Sequence, residues 1–289
     1  MDRRLSPAGQ RRPGMRATHK YLIVPRAQAR RQTLDATPDE FADTMDYRRT
    51  AFRTREEFLQ RAAVEWVREL HEVFAELLVR GRSVLSLGSG QGEHDVPLRL
   101  AGYDVTASDI VPSALEPARR LFPDLPTRHF DIFQPDTSRR YDDLLITGLD
   151  YCLDQPRAQQ LFTNCRALLT PGGRLIFTLR HPETPISWAI DTMLAPSLAL
   201  ARLAKARWRG ARDLAVYRKP HGYRRSRADI LRLAAAAGFR PGRVRVAGWG
   251  GELFRLGVDH TFPRLYRALC RLDRRLHALA MATVFEFLT

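Results

Sequence analysis

Residues 84–92 constrain this chain more than any other stretch. A short apolar run (Val84, Leu85, Ser86, Leu87) ends in Gly88, Ser89, Gly90, Gln91 and Gly92. Polar residues and a helix-compatible segment follow, from Glu93 through Leu100. The pattern predicts a buried strand, a tight turn and a helix start. Glycine lacks a Cβ, so such a turn lets a ligand approach the main chain. The ligand is constrained by charge. A dinucleotide fingerprint places pyrophosphate at the helix N-terminus behind G-x-G-x-x-G. Here the third glycine comes one place early, and Glu93 and Asp95 put carboxylates where the pyrophosphate would dock. Two anions would face each other, which argues against NAD and FAD. No G-K-[ST] follows, so a phosphate-binding P-loop is excluded. A nucleoside ligand with a cationic centre and an amino group suits the turn, and S-adenosylmethionine is such a ligand.

Four further landmarks follow in order. Residues 104–109 (DVTASD) read as a second strand ending in an acid, roughly twenty residues past the glycines, where nucleoside-binding sheets hold the ribose. Phe130-Asp131-Ile132 comes next. Residues 144–150 (LLITGLD) read as a strand whose end faces a ligand, and residues 168–173 (LLTPGG) turn into the strand 174–179 (RLIFTL). In order and spacing, residues 83–250 resemble a class I S-adenosylmethionine-dependent methyltransferase. The resemblance implies a doubly wound, Rossmann-like α/β fold with a seven-stranded, mostly parallel sheet. It implies S-adenosyl-L-methionine as cofactor, with Ser86, Gly88, Ser89, Gly90 and Gly92 at its methionine end. Asp109 would hold the ribose hydroxyls, Ile110 and Ile132 would pack near the adenine, Asp131 would receive the adenine amino group, and Thr147 would line the site. One position departs from the pattern. Many family members carry an acid where this chain has Ser86. Ser86 can supply hydrogen bonds but no charge, and Glu93 or Asp95 is placed to supply the charge.

Charge is localised. The formal net charge is +15, with +7 on residues 1–36 and +9 on residues 202–227, so the remaining chain is close to neutral. Residues 1–36 read as a basic flexible arm, with Met15 a second candidate start. Residues 37–81 read as an N-terminal helical cap whose second helix, over 55–79, is long and amphipathic. The methyltransferase domain is expected over 82–258, interrupted after the fifth strand by an insertion at 181–225. Ser226 is expected to cap a helix over 227–237. The strand-like segments 244–246 and 253–256 are candidates to close the sheet, and residues 259–289 read as a C-terminal helical appendix. No apolar run reaches the ~18 residues a membrane-spanning helix needs. The N-terminus lacks the apolar core of a signal peptide. Cys152, Cys165 and Cys270 show neither paired nor metal-binding spacing, so thiols in a cytoplasmic protein without a metal are expected.

The protein's task in methyl transfer is mainly alignment, so a catalytic side chain is optional. The candidates lie at the carboxyl ends of strands: Asp150 and Tyr151 after the fourth, and His181 after the fifth, where it could deprotonate an acceptor hydroxyl. His94, His221 and Tyr223 are weaker candidates. The apolar stretch from Ile186 to Leu203 admits three readings: a helix packed on the domain, a lid over an apolar substrate, or a helix lying on a membrane surface. The arginines beside it could grip a phosphate. The favoured function is O-methylation of a small-molecule acceptor, a sugar or glycan precursor or a natural-product intermediate, with an anionic or lipid-linked acceptor and peripheral membrane contact among the options. An RNA methyltransferase using the basic arm is the alternative. It is weakened because the fourth strand ends in Gly148-Leu149-Asp150-Tyr151, without the N-P-P-Y or D-P-P-Y of enzymes that methylate base amino groups. A cofactor-binding protein without catalysis is a third reading.

Overall fold

The computed structural model describes residues 15–26, 52–63, 65–179, 185–247, 264 and 282–289. Seven strands form the main sheet: β2 (Ser83–Leu87), β3 (Asp104–Asp109), β4 (Thr127–His129), β5 (Tyr141–Ile146), β6 (Leu169–Leu179), β8 (Arg240–Ala247) and β9 (Ala282–Leu288). Their spatial order is β4-β3-β2-β5-β6-β9-β8. Only β9 runs against its neighbours, pairing antiparallel with both β6 and β8. The expected Rossmann-like, mostly parallel sheet of seven strands is therefore the fold observed.

Helices cover both faces. Before the sheet come α1 (Arg55–Ala62) and α2 (Glu65–Leu77); within it lie α3 (Asp95–Leu100), α4 (Glu116–Leu121), α5 (Gln155–Leu168) and α8 (Arg227–Ala236). Side chains along the central strands alternate between two cores, as a period of two requires. Leu144 and Ile146 join Leu175, Phe177, Phe162 and Phe239 on one face. Leu145 and Ile176 join Leu70, Phe74 and Leu77 of α2 on the other. The helix expected over 55–79 is two helices. Thr54 caps α1 and accepts a hydrogen bond from Glu57 N. Phe58 and Ala62 of α1 then pack with Val96, Leu115 and Phe122 in a third cluster, apart from the face α2 covers. Ser226 caps α8 as expected, in a reciprocal capping box with Asp229.

Two expectations are corrected. The C-terminal appendix is not wholly helical, because residues 282–288 form β9 inside the sheet. Their apolar spacing was compatible with a helix, yet burial alternates by two: Val284 joins the α2 core, while Phe285 and Phe287 join the opposite one. The segment 253–256 and residues 265–281 lie outside the described residues. The arm, in turn, is not flexible throughout. Residues Met15–Pro25 form β1, antiparallel to β7 (Leu214–Arg225) in a separate two-stranded sheet. The β-branched and aromatic run Tyr21-Leu22-Ile23-Val24 favours extended pairing over the disorder its neighbouring cations suggest. Between β6 and β7 the insertion holds α6 (Pro185–Ala189), a π-turn (Ile190–Leu194) and α7 (Ala195–Trp208).

At the amino-terminal end of β6 the sheet buries charge. Arg174 makes a bidentate pair with Asp143 of β5 at 2.8 and 2.6 Å. It also donates to Glu286 of β9 at 3.0 Å and to Leu77 O of α2 at 2.8 Å. Glu286 accepts three further bonds from Arg243 of β8, two from its guanidinium and one from its backbone N–H, which hold its carboxyl down at about 2. Its contribution is therefore full above the ordinary carboxylate range and fades as pH falls through about 2. Glu286→Gln leaves Arg174 and Arg243 without their shared anion and should cost about 3–5 kcal/mol in urea unfolding at neutral pH. An unchanged midpoint would show that β9 is held by its apolar side chains alone.

Candidate active site

The turn after β2 is tied to the end of β3 by short-range hydrogen bonds. Ser89 N donates to Ser108 O at 2.9 Å, and Ser108 N donates to Ser89 Oγ at 3.0 Å. Ser108 Oγ donates to Ser86 O at 2.6 Å. Gly90 N donates to Asp109 Oδ2 at 2.8 Å, and Val111 N donates to Asp109 Oδ1 at 2.9 Å. Asp109 is thus fixed by backbone donors beneath the turn, although burial pushes its carboxyl above the ordinary value. Gly88, Gly90 and Gly92 have φ of +68°, +56° and +82°. A Cβ on Gly90 would meet nothing within 4 Å, so the turn opens onto free space there. Ile110, the residue after Asp109, is 52% exposed, which leaves an apolar rim beside the hollow. This is a cradle of the kind a nucleoside ligand fills.

The other expected residues converge on the same edge of the sheet. Asp131 follows β4 and accepts a bond from Phe133 N at 2.8 Å, with Ile132 buried beside it. Thr147 and Asp150 follow β5 and are buried, whereas Tyr151 is half-buried. Leu149 lies against Gly88, which joins the β5 end to the glycine turn. His181 lies outside the described residues. His94 is buried against Phe74, and its Nδ1 is 3.3 Å from Nε2 of His71. Burial drives the His71 imidazole down to about 4, so this ring is neutral at physiological pH.

The two carboxylates expected to replace the charge missing at Ser86 differ in placement. Glu93 faces outward to Arg61 of α1 at 3.6 Å. Asp95, the first residue of α3, is 1% exposed, and its Oδ1 makes no hydrogen bond. Burial raises its carboxyl to about 6; the nearby Ser86 and Ser89 hydroxyls oppose the rise, and Asp109 adds to it. The Ser86 hydroxyl is likewise buried. A carboxyl with a raised pKa and a hydroxyl therefore sit together under the turn.

Residues in the insertion hold the β5 end; of these the sequence singled out only Tyr223, as a weaker candidate for the site itself. Arg225 is 1% exposed and donates to the carbonyl oxygens of Asp150 and Leu153. Tyr223 N donates to Tyr151 O at 2.8 Å. Gly222 has φ of +141°, and a Cβ there would run into Tyr151 O. Arg224 forms a buried bidentate pair with Asp191 at 2.7 and 3.2 Å, which ties β7 to the π-turn. For Arg224 and Arg225 the sequence signal was the local density of arginine, which reads equally well as exposed charge.

A methyltransferase-domain family matches residues 55–242. The chain belongs to this family, the class I S-adenosylmethionine-dependent methyltransferases. Ubiquinone biosynthesis O-methyltransferases from strains of Coxiella burnetii are 28% identical to it over 109 residues, 36% of this chain and 45% of theirs. The match thus spans less than half the length of these curated relatives. Among solved structures, the glycopeptide N-methyltransferase MtfA with bound S-adenosylhomocysteine has a TM-score of 0.50 at 16% identity, covering 76% of this chain and 89% of its own. Magnesium protoporphyrin IX methyltransferase from Synechocystis PCC 6803 also has a TM-score of 0.50, at 15% identity over 86% and 99% of the two chains. These structural similarities establish the fold.

Two outcomes follow for this site. A carboxyl held at about 6 favours the neutral form, so Asp95 costs the fold nothing below the ordinary carboxylate range and destabilises it increasingly as pH rises from about 4 to about 6. Asp95→Asn should therefore stabilise the ligand-free protein at pH 7.5 by up to about 3 kcal/mol, with the gain vanishing near pH 4. Equal melting curves for the two proteins at pH 7.5 would contradict the buried charge. Gly222→Ala should destabilise the protein by about 1–3 kcal/mol through the strained backbone at that position, read by thermal melting. A neutral effect would mean that the β7–β5 contact is loose.

Proposed function

We propose that the enzyme transfers the methyl group of S-adenosylmethionine to an oxygen of a small-molecule acceptor, a sugar or glycan precursor or a natural-product intermediate. The observation that carries this reading is the glycine turn hydrogen-bonded to Asp109 above a buried Asp95. The partial similarity to the O-methyltransferases of ubiquinone biosynthesis supports oxygen as the acceptor atom. The cofactor, when bound, supplies a sulfonium whose methyl group is intrinsically activated.

In this reading the chain's own residues bind and orient. Gly88, Ser89, Gly90 and Gly92 cradle the methionine end. Asp95, with Ser86 beside it, faces the methionine ammonium and takes the part of the acid absent at residue 86. Asp109 accepts from the ribose hydroxyls, Ile110 and Ile132 flank the adenine, and Asp131 accepts from its amino group. Thr147, Asp150 and Tyr151 line the acceptor side, where Arg225 and Tyr223 hold them in place. His181, beyond β6, is the candidate base for an acceptor hydroxyl. Alignment of the acceptor with the methyl group lowers the barrier by up to about 7–11 kcal/mol. A base adds about 10²–10⁴-fold in rate when the nucleophile is a hydroxyl.

Calorimetric titration with S-adenosylhomocysteine tests the cofactor roles. Asp109→Ala should abolish measurable binding, and Asp95→Asn should weaken it. Wild-type affinity should rise between pH 5 and 7 as Asp95 ionises, and Asp95→Asn should flatten that rise. Undiminished binding by Asp109→Ala would remove the ribose assignment. A panel of hydroxylated acceptors with methyl-labelled cofactor tests the reaction. Label appearing only in structured RNA would overturn the small-molecule reading.

A further inference from the structure

Helix α7 is apolar on two sides, and among the described residues only one of them is packed. Its inner side packs Ala199 and Leu203, which are 3% and 8% exposed. On its outer side, residues 193, 197, 200, 204 and 208 recur at spacings of four, three, four and four, which aligns them along one face of a helix. They are Met193, Ser197, Leu200, Ala204 and Trp208. Met193 is 63%, Leu200 61% and Trp208 87% exposed, and Trp188 and Leu194 are exposed nearby. An isolated exposed leucine needs no explanation, but a row of large apolar side chains with a tryptophan on one helix face does.

The charge around this row has one sign. Residues 192–212 contain Arg202, Lys205, Arg207, Arg209 and Arg212 and no Asp or Glu. All five cations are exposed, and on a helical projection Arg207 borders the row on one side and Lys205 on the other, while Arg202 and Arg209 lie toward the opposite face. Among the described residues no helix is long and apolar enough to cross a membrane, and α7 has only 14 residues. An apolar stripe too short to span, edged by cations and ended by a tryptophan, matches a helix that lies in the plane of a bilayer interface.

We infer that the outer face of α7 is a docking surface for an anionic lipid bilayer. Met193, Leu200 and Trp208 enter the headgroup–acyl boundary, and the flanking cations meet lipid phosphates. Charge complementarity selects this occupant. A second copy of the chain would set the bordering cations Lys205 and Arg207 against their own counterparts. Binding here would also bear on the acceptor side, because the π-turn that precedes α7 is tied through Asp191 to Arg224. The adjacent residues of β7 hold the Asp150–Leu153 turn.

Vesicle flotation of the full chain tests the surface independently of methyl transfer. The protein should float with phosphatidylcholine vesicles that contain phosphatidylglycerol and much less with phosphatidylcholine alone. Leu200→Glu with Trp208→Glu should reduce binding by at least about tenfold. Lys205→Gln with Arg209→Gln should weaken it by about fivefold per cation and lower its salt sensitivity. Melting temperature and stabilisation by S-adenosylhomocysteine should not change in any variant, since all four positions are exposed and distant in sequence from the cofactor cradle. The inference is overturned by absence of flotation, by flotation indifferent to phosphatidylglycerol, or by flotation that survives the double glutamate variant. A dimer in sedimentation that the glutamate variant dissociates, without vesicle binding, would assign the face to a second copy instead.

Discussion

The hydrogen bonds between the glycine turn and the end of β3 hold the rest of the site in register. Left-handed backbone at three glycines is entropically costly, and a turn of this kind keeps one shape only if its donors are satisfied from outside. Ser108 O accepts from Ser89 N and Asp109 supplies a carboxylate oxygen to Gly90 N, while the Ser108 N–H and hydroxyl donate back to Ser89 Oγ and Ser86 O. The same carboxylate is anchored from its other side by Val111 N. One side chain therefore shapes the hollow and presents charge to it. The small Ser86 matters here. Its hydroxyl lies buried beside Asp95, the first residue of α3, which places a carboxyl under the turn from the helix side.

Charge is handled differently at the two ends of the sheet. At the amino-terminal end, Arg174, Asp143, Glu286 and Arg243 are mutually satisfied, and Glu286 is held far below its ordinary pKa. At the carboxyl end, Asp95 lies buried without a cation and its pKa is raised. Opposite shifts in carboxylates of one sheet separate structural pairing from a site prepared for a cationic ligand. The insertion adds a second restraint at the carboxyl end, because Arg225 and Tyr223 reach the main chain of the β5 turn rather than its side chains. Their effect is on where that turn sits, so side-chain changes at Asp150 or Tyr151 need not disturb it.

Much of this was legible in the sequence. The glycine turn, the acids at 109 and 131 and the L-T-P-G-G entry to β6 each report a local backbone requirement, and local requirements survive in residue order. Three features were not legible, each because a long-range partner decided the outcome. β9 has helix-compatible spacing, and only the neighbouring β6 and β8 select the extended form. β1 lies among scattered arginines, and only the facing β7 makes its short apolar run count. The role of Arg225 depends on carbonyl groups more than seventy residues earlier in the chain, and no local pattern encodes that contact. The break after Ala62 is of the same kind, since two helix faces serve two different clusters.

The position of β9 has a consequence for how the molecule is made. Among the described residues β8 has no neighbour in the sheet except β9, and the side of β6 away from β5 is occupied only by β9. During synthesis, 34 residues separate the end of β8 from the start of β9. Until residues 282–288 emerge, the nascent sheet carries an unpaired flank along β6, with the buried Arg174 lacking one of its two acids. Unpaired strand edges recruit other chains. Rapid delivery of this late strand, or shelter by a chaperone while it is awaited, then governs how much of the newly translated enzyme escapes aggregation.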